Sequence, residues 1–450
     1  MKQAAKPAVT MLFRKIRPYA EFSEVKIMTA IKTVNMILGA FFLLLYTYQV
    51  FYIFIPFIKK DKPHKETKMH RYGVLISARN EENVIANLIA SIRRQDYPEE
   101  LVDIYVIADN CTDSTATVAS EAGANVFIRH DMENIGKGFA LDYAIERIFS
   151  EQGEDYYDGF FVFDADNILD RSFITEMNKT FSDGYRAITS YRNSTNYGAN
   201  WISASYGLWY IRESAYVSHS RMLLGTNCAV SGTGFLVSAE LLKKNGGWKY
   251  HLLTEDIEFS IAQAINGEKI GFCKDAIIYD EQPISFKQSW KQRLRWARGF
   301  LQVFLNYGGK LFKGIFSKKW WTSYDMLITV LPVNVITLVL AIMNTAAFSV
   351  QIAAGEIGWW VPILSLLQWC GRLYATLFVM GLVALVTESK RIRTSTAKQV
   401  IYLFSFPLFQ LTYIPVSILA LFTRVKWEPT KHHGPTADAE RLEDKDERID

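Results

Sequence analysis

Half of the 450 residues are hydrophobic, 14% are aromatic and only 21% are charged, a balance too apolar for an ordinary soluble enzyme and typical of a membrane protein with a water-exposed domain. The formal charge of +4 is small, and the basic residues gather at the amino terminus and beside apolar runs, which suits membrane orientation and argues against nucleic-acid binding. Cys111, Cys228, Cys273 and Cys370 are scattered, with no C-x-x-C pair and no histidines at zinc spacing, so neither a disulfide framework nor a zinc site is expected.

A basic segment over residues 1–32 leads into the first uncharged run, Thr33 to Ile58. At a rise of about 1.5 Å per residue, a helix of that length crosses the roughly 30 Å hydrocarbon core with room for tilt. It is too long for a signal-peptide core and lacks a small-residue cleavage site, so it reads as a transmembrane helix.

From residue 72 to 316 the pattern changes to short β-branched runs alternating with helical periodicity. Strands are expected at 72–77, 102–108, 125–129 and 159–163, with helices at 83–95, 114–122 and 138–149 between them. This order predicts an α/β domain on a mainly parallel sheet. In such sheets ligands bind outside the carboxyl ends of the strands, so the residues just after each strand carry the functional information.

The first strand ends in Ser77-Ala78-Arg79-Asn80-Glu81, the second in Asp109-Asn110-Cys111-Thr112-Asp113 and the fourth in Asp164-Ala165-Asp166-Asn167. Polar clusters at successive strand ends build one cleft. Asp164 and Asp166 lie two apart, so in an extended segment both point one way and can offer oxygens to a hard divalent cation that also bridges a diphosphate. A lone D-x-D is usually a solvated turn; the buried apolar strand ahead of this one favours the metal reading. Asp109 has a competing role as N-cap of the helix near Ser114. Lys137, in Asn134-Ile135-Gly136-Lys137-Gly138, reads equally as a loop lysine reaching for phosphate or as a solvated lysine, and the motif is not a Walker P-loop. Ser231-Gly232-Thr233-Gly234 suggests either a close backbone approach to a ligand or a plain turn. Thr254-Glu255-Asp256-Ile257-Glu258 places carboxylates at a helix start, where the helix dipole alone favours them. The functional alternative makes Asp256 a general base.

Gln292-Arg293-Leu294-Arg295-Trp296 lies at the exit of this domain, just ahead of long apolar stretches. Guanidiniums match phosphate oxygens, and an indole offers an apolar face for stacking on a sugar. An interfacial helix with basic residues toward headgroups and its Trp in an aromatic belt explains the pentapeptide alone equally well. The carboxylates upstream move the balance toward a ligand clamp. Beyond it, apolar runs at 326–355, 357–387 and 399–423 are transmembrane candidates, the last either spanning or re-entrant. Arg372 falls near the middle of the second, a costly position that marks either a polar path or a kinked segment. The 424–450 tail is charged, and Ala437 to Asp450 reads as disordered.

Taken in order, Ala-Arg-Asn-Glu at 78–81, Asp109, Asp164-Ala-Asp166, Thr-Glu-Asp at 254–256 and Gln-Arg-Leu-Arg-Trp at 292–296 resemble the membrane-embedded family 2 glycosyltransferases, which include the cellulose, hyaluronan and poly-N-acetylglucosamine synthases. The similarity runs from about Tyr72 to Leu301. It implies a GT-A (Rossmann-like) glycosyltransferase domain with flanking transmembrane helices, a UDP-sugar donor and a Mg2+ or Mn2+ ion. Carried over by position, Ser77, Arg79, Glu81 and Asp109 would line the uridine pocket, and Asp164 and Asp166 would sit at the metal and diphosphate. Arg293 and Arg295 would face the diphosphate or the closing gate, Asp256 would be the base, and Trp296, with Gln292, would meet the acceptor sugar; Lys137, from its own motif, joins the donor-binding set. Relatives commonly have an aromatic residue where this chain has Arg79, so uracil stacking there would fall to a guanidinium.

The implied reaction is inverting, with Asp256 activating an acceptor hydroxyl that displaces UDP in one step. The resemblance favours processive synthesis of a β-linked polysaccharide with export. Single addition onto a lipid-linked acceptor, or a noncatalytic scaffold or transporter with a degenerate domain, are the rivals. The expected location is the cell membrane, multi-pass, with the catalytic domain in the cytosol where UDP-sugars are. Four simple crossings also keep Lys390, Arg391, Arg393 and Lys398 inside, but place Lys2, Lys6, Arg14, Lys15 and Arg17 and the stretch of Arg424, Lys426 and Lys431 outside, against the charge rule. Partners are membrane lipids and the two substrates; the sequence identifies neither the sugar nor any accessory subunit.

Overall fold

The computed structural model describes residues 33–41 and 44–425. The basic segment 1–32 and nearly all of the charged tail lie outside the described residues. Strands β1 (Tyr72–Ala78), β2 (Val102–Asp109), β3 (Asn125–Arg129), β4 (Gly159–Asp164), β5 (Ile168–Leu169), β6 (Ala187–Ser194), β7 (Phe235–Ser238) and β8 (Ile270–Asp280) form one sheet in the order β3-β2-β1-β4-β7-β6-β8-β5.

The first half of this sheet is parallel, as the alternating pattern predicts, and its register puts Ser77 beside both Ile107 and Asp164. The second half departs from that expectation. β7 runs antiparallel to both β4 and β6, β5 runs antiparallel to β8, and only β6 and β8 pair in parallel, with a register shift between Ser190 and Tyr191. The sheet is therefore mixed: the four-residue β7 follows the Ser231–Gly234 turn and runs opposite to both of its neighbours.

Helices follow the chain as α1 (Thr33–Ile58), α2 (Ile85–Arg93), α3 (Thr115–Glu121), α4 (Lys137–Gln152), α5 (Phe173–Ser182), α6 (Trp201–Arg212), α7 (His219–Leu224), α8 (Ala239–Asn245), α9 (Glu255–Asn266) and α10 (Phe286–Gly314). Beyond them come α11 (Trp320–Val330), α12 (Val333–Ala353), α13 (Trp360–Glu388), α14 (Thr396–Leu411) and α15 (Tyr413–Phe422). A π-helical turn, Glu213–Ser218, joins α6 to α7.

Alternation along β1 sends Tyr72, Val74 and Ile76 to one face of the sheet, where Ile85, Leu88, Ile89 and Ile92 of α2 and Phe173, Ile174 and Met177 of α5 cover them. Leu75 faces the other side, against Ala140, Leu141, Ala144, Ile145 and Ile148 of α4. Each large apolar side chain so buried contributes about 1.5–3 kcal/mol. With both faces covered, the open carboxyl edge of β1, β2 and β4 is left to bind a ligand.

The chain divides into two compact units, one of residues 1–50 with 333–372 and one of 51–332 with 373–450, and the sheet belongs to the second. Among the described residues, three helical spans are long and apolar enough to cross a membrane: Thr33–Ile58, Trp360–Arg391 and Thr396–Phe422; Thr337–Ala353 is a shorter apolar helix. The run expected to cross at 326–355 is interrupted, because Pro332 forces Leu331 into an extended conformation and separates α11 from α12. Within the first unit, the Asn35 amide donates to the Asn344 carbonyl of α12 at 2.6 Å. Arg372 is exposed on α13.

Candidate active site

At the ends of β1 and β2 the chain turns through Asn80 (φ 59°) and Asn110 (φ 54°), left-handed conformations that asparagine tolerates better than most residues. The two loops are tied together. Thr112 N–H donates to Asn80 Oδ1 at 2.8 Å, Glu81 N–H to Thr115 Oγ1 at 2.8 Å, and Ser114 N–H to Glu82 Oε2 at 2.9 Å. Asp109 is 3% exposed and accepts from the Arg129 guanidinium at 2.7 Å. Burial pushes its carboxyl up, against the pull of Arg129 and Arg79. Asp109 is therefore no N-cap: Asp113 fills the local turn, accepting from Thr115 N–H at 3.1 Å and Thr115 Oγ1 at 2.6 Å. Arg79 and Glu81 are half-buried beside it, and Ser77 lies one strand over from Asp164.

The centre of the cleft is built around Lys137. The sequence suggested a loop lysine; the structure makes it the first residue of α4, behind Gly136 at φ 140°, with its side chain only 12% exposed. Its ammonium donates to Asp164 Oδ1 at 2.5 Å and to the Gly232 carbonyl at 2.9 Å. Burial opposes its charge, but Asp164, Glu255 and Asp256 outweigh that cost and hold the lysine above its usual value. The solvated-lysine alternative is thereby removed.

Asp256 sits in the first turn of α9, where its Oδ2 accepts the Gly232 N–H at 2.7 Å. The Gly232 peptide thus touches Asp256 through its nitrogen and Lys137 through its oxygen. Gly232 (φ 80°) and Gly234 (φ 65°) are both left-handed, and a Cβ on Gly234 would fall 2.6 Å from Ser190 Oγ, so this turn requires glycine. Burial raises the Asp256 carboxyl, opposed by backbone N–H groups at the helix start and by Lys137. Burial and the neighbouring Asp256 push Glu255 up to about 7. Glu258 is structural: its carboxylate accepts from His251 N–H and Leu252 N–H, each at 2.9 Å, and from the Tyr307 hydroxyl of α10 at 2.9 Å.

Asp164 closes β4, whereas Asp166 falls in the turn behind it, so the extended geometry expected for the pair does not exist. The Asp164 side chain is 36% exposed and Asp166 is 8% exposed. The turn is held by Asp164 N–H donating to Thr233 Oγ1 at 2.9 Å and by Asn167, whose amide donates to Asp280 Oδ1 at 3.0 Å. No cluster of three or more potential metal-ligating side chains occurs among the described residues. Two hard carboxylates fit Mg2+ or Mn2+ when ligand phosphates supply the other oxygens.

A second ion pair backs the cleft. Arg192 of β6 donates to Asp280 Oδ2 at the end of β8 through Nε at 2.9 Å and to the Ser231 carbonyl at 2.7 Å, with its guanidinium 3.9 Å from the Tyr210 ring centroid. Sequence reasoning missed Arg192, Asp280 and Arg129. Their signal was a charge inside or at the end of a strand, a position that demands a partner when the strand is buried.

Of the pentapeptide on α10, the structure brings Arg295 toward this region, turns Arg293 away and packs Trp296 into the apolar cluster of Tyr206 and Phe409. Arg295 is half-buried and close enough to lower the Glu255 carboxyl. Trp296 packs edge-on against Tyr206, centroids 5.9 Å apart. Arg293 does not face a donor phosphate. It is 1% exposed, donates to Thr412 Oγ1 at 2.7 Å and to the Phe409 carbonyl at 3.3 Å, and lies 4.2 Å from the Phe409 ring centroid. Helical spacing places it on the face of α10 that packs on α14 and α15. Gln292 is half-buried with a buried Oε1 that has no hydrogen-bond partner.

Comparison with known proteins identifies the family of the domain. The family model described as Glycosyltransferase like family 2 matches residues 70–299. A probable glycosyltransferase of Bacillus subtilis is 27% identical over 267 residues, covering 55% of this chain and 59% of its own length. A beta-monoglucosyldiacylglycerol synthase of Synechocystis sp. is 26% identical over 240 residues (52% and 48%), and a poly-beta-1,6-N-acetyl-D-glucosamine synthase of Staphylococcus epidermidis is 25% identical over 268 residues (57% and 62%). The chain thus spans about half to three-fifths of these relatives. Among solved structures, a mannosyltransferase from Pyrobaculum calidifontis in complex with GDP-Man and Mn2+ shares the fold at a TM-score of 0.54 and 16% identity, covering 87% of this chain and 98% of that one.

Proposed function

This chain belongs to the family 2 glycosyltransferases, and we propose that it moves a hexose or N-acetylhexosamine, with inversion, from a UDP-sugar to a growing β-linked polysaccharide at the membrane. The observation that carries this reading is the Gly232 peptide, which bonds Asp256 on one side and Lys137 on the other. It holds a carboxylate base and a phosphate-seeking ammonium on one short turn.

In this reading Asp256 accepts the proton of the acceptor hydroxyl as that oxygen attacks the anomeric carbon. The new glycosidic C–O bond forms as the bond to the β-phosphate oxygen breaks, and UDP departs. Lys137 faces the charge gathering on the diphosphate and, with Arg295, helps keep Asp256 and Glu255 ionised. Asp109, with Arg79, Glu81 and Ser77, lines the nucleoside end, and Trp296 and Gln292 meet the acceptor. Asp164 and Asp166 would hold a Mg2+ or Mn2+ ion, which supplies Lewis-acid stabilisation of the leaving diphosphate. Arg293 receives no catalytic role. In the same reading the protein sits in the cell membrane, multi-pass, with the cleft on the cytosolic side.

A second reading, single addition to a lipid-linked acceptor, is favoured by the similarity to beta-monoglucosyldiacylglycerol synthases. Product length separates the two: membranes given one UDP-sugar yield a ladder in the first case and one added residue in the second. The deciding assay is nucleoside diphosphate release by the purified full chain: UDP from UDP-glucose, UDP-N-acetylglucosamine, UDP-galactose and UDP-glucuronate, and GDP from GDP-mannose as a counter-donor. Asp256→Asn keeps the Gly232 hydrogen bond and UDP affinity while transfer falls about 10²–10⁴-fold. Transfer at the wild-type rate by that variant overturns the assignment. Chelation by EDTA abolishes transfer and added Mn2+ or Mg2+ restores it; turnover indifferent to EDTA removes the metal from Asp164 and Asp166.

A further inference from the structure

The Gly232 N–H that meets Asp256 is the nitrogen end of a peptide group whose other end is the Ser231 carbonyl. That carbonyl accepts from Arg192 Nη1 at 2.7 Å, while Gly232 N–H donates to Asp256 Oδ2, also at 2.7 Å. One planar group therefore carries a guanidinium at its oxygen and the base at its nitrogen.

Such a plane needs holding. Gly232 sits at φ 80° and has no Cβ to resist rotation about its backbone bonds. A flip of this peptide would present the Ser231 oxygen to a carboxylate, which repels it.

Three observations make Arg192 the clamp. First, the guanidinium is itself fixed: Nε and Nη2 both donate to Asp280 Oδ2, Nε at 2.9 Å, and the group lies 3.9 Å from the Tyr210 ring centroid. A register shift between Ser190 and Tyr191 precedes it on β6, and irregularities of this kind re-aim side chains beside active sites. Second, Asp280 is braced in turn, accepting from the Asn167 amide at 3.0 Å and the Gln282 amide at 2.6 Å. Asn167 accepts from Thr233 Oγ1, so hydrogen bonds run from Ser231 through Arg192, Asp280 and Asn167 to Thr233 and close a ring around Gly232. Third, the fit is close, since a Cβ on Gly232 would lie 3.5 Å from Arg192 Nη1.

Donation by a cation to the carbonyl also polarises the peptide and strengthens its N–H as a donor. That N–H is among the groups opposing the rise that burial imposes on Asp256. Lys137 acts on the same carboxylate by charge, whereas the Gly232 N–H also gives it a direction.

Resting on the glycosyltransferase reading above, we propose that Arg192 is a positioning residue for sugar transfer: braced by Asp280, it locks the Ser231–Gly232 peptide so that the N–H holds Asp256 in line with the acceptor hydroxyl. It acts through Asp256 and not on the donor.

The test measures kcat and KM for nucleotide release by the purified full chain, with UDP affinity and melting temperature reporting that each variant is folded. In Arg192→Gln, kcat falls about 10–100-fold while KM for the donor and UDP affinity stay within about threefold. In an Asp256→Asn background the same substitution costs less than about threefold, because the group it works through is already gone. If Arg192→Gln does not fold because Asp280 is left unpaired, the double variant Arg192→Gln/Asp280→Asn removes both charges and carries the same expectations. A wild-type kcat in a folded variant, an equal loss in the Asp256→Asn background, or a loss shared by UDP affinity overturns the positioning role. A wild type that releases nucleotide from no donor overturns the glycosyltransferase reading, and this inference with it.

Discussion

Replacing Lys137 with methionine removes the ammonium that Asp164, Glu255 and Asp256 share while keeping most of its apolar stem. Breaking a fully buried ion pair costs about 3–5 kcal/mol. The Asp164 side chain is 36% exposed, and solvent screening at such a site reduces the loss to about 1–2 kcal/mol. The larger effect is on titration. Lys137 lowers both Glu255 and Asp256 against burial, so without it both carboxyls rise further. A base works only when ionised, and the acid limb of kcat/KM for UDP release therefore moves to higher pH. A displacement of one unit corresponds to about 1.4 kcal/mol of lost attraction. Rate profiles from about pH 5.5 to 9 for wild type, Lys137→Met and Lys137→Arg measure this, the arginine variant staying near wild type. Superimposable acid limbs for wild type and Lys137→Met would refute the argument.

Gly299 of α10 lies against Thr254, where a Cβ would come within 2.5 Å of Cγ2. Gly299→Ala therefore costs about 1–3 kcal/mol by overpacking and lowers transfer by displacing the start of α9; an unchanged melting temperature and rate would contradict the packing. Glu255, pushed up to about 7, favours the folded state below the ordinary glutamate value of about 4.3 and loses that contribution as pH rises through 7. The melting temperature of Glu255→Gln minus that of wild type should accordingly increase between about pH 4 and 8, and a constant difference would speak against a raised carboxyl.

The strands β1 to β4 were readable because each is a short apolar run that ends abruptly in polar residues, and that pattern also pointed to Asp109 and Asp164. The sheet beyond β4 was not. Antiparallel insertion of β7 depends on long-range pairing that a four-residue strand does not announce. Arg293 was misread for a related reason: Arg293 and Arg295 look equivalent in sequence, yet a two-residue step on a helix turns them about 200° apart, and only one reaches the cleft. Lys137 was ambiguous because its partners, Asp164 and the Gly232 carbonyl, lie 27 and 95 residues away. Asp109 carried an N-cap alternative until Arg129, twenty positions on, was found beside it.

Arg293 fastens α10 to Thr412 and Phe409, and Arg298 donates to the Ala420 carbonyl at 3.2 Å further along the same helix. α10 also carries Arg295 beside Glu255. One rigid rod therefore has its flank in the reaction chamber and its fastenings in a span long enough to meet acyl chains. Wherever that span crosses a bilayer, a change in bilayer thickness tilts it and moves α10 with it.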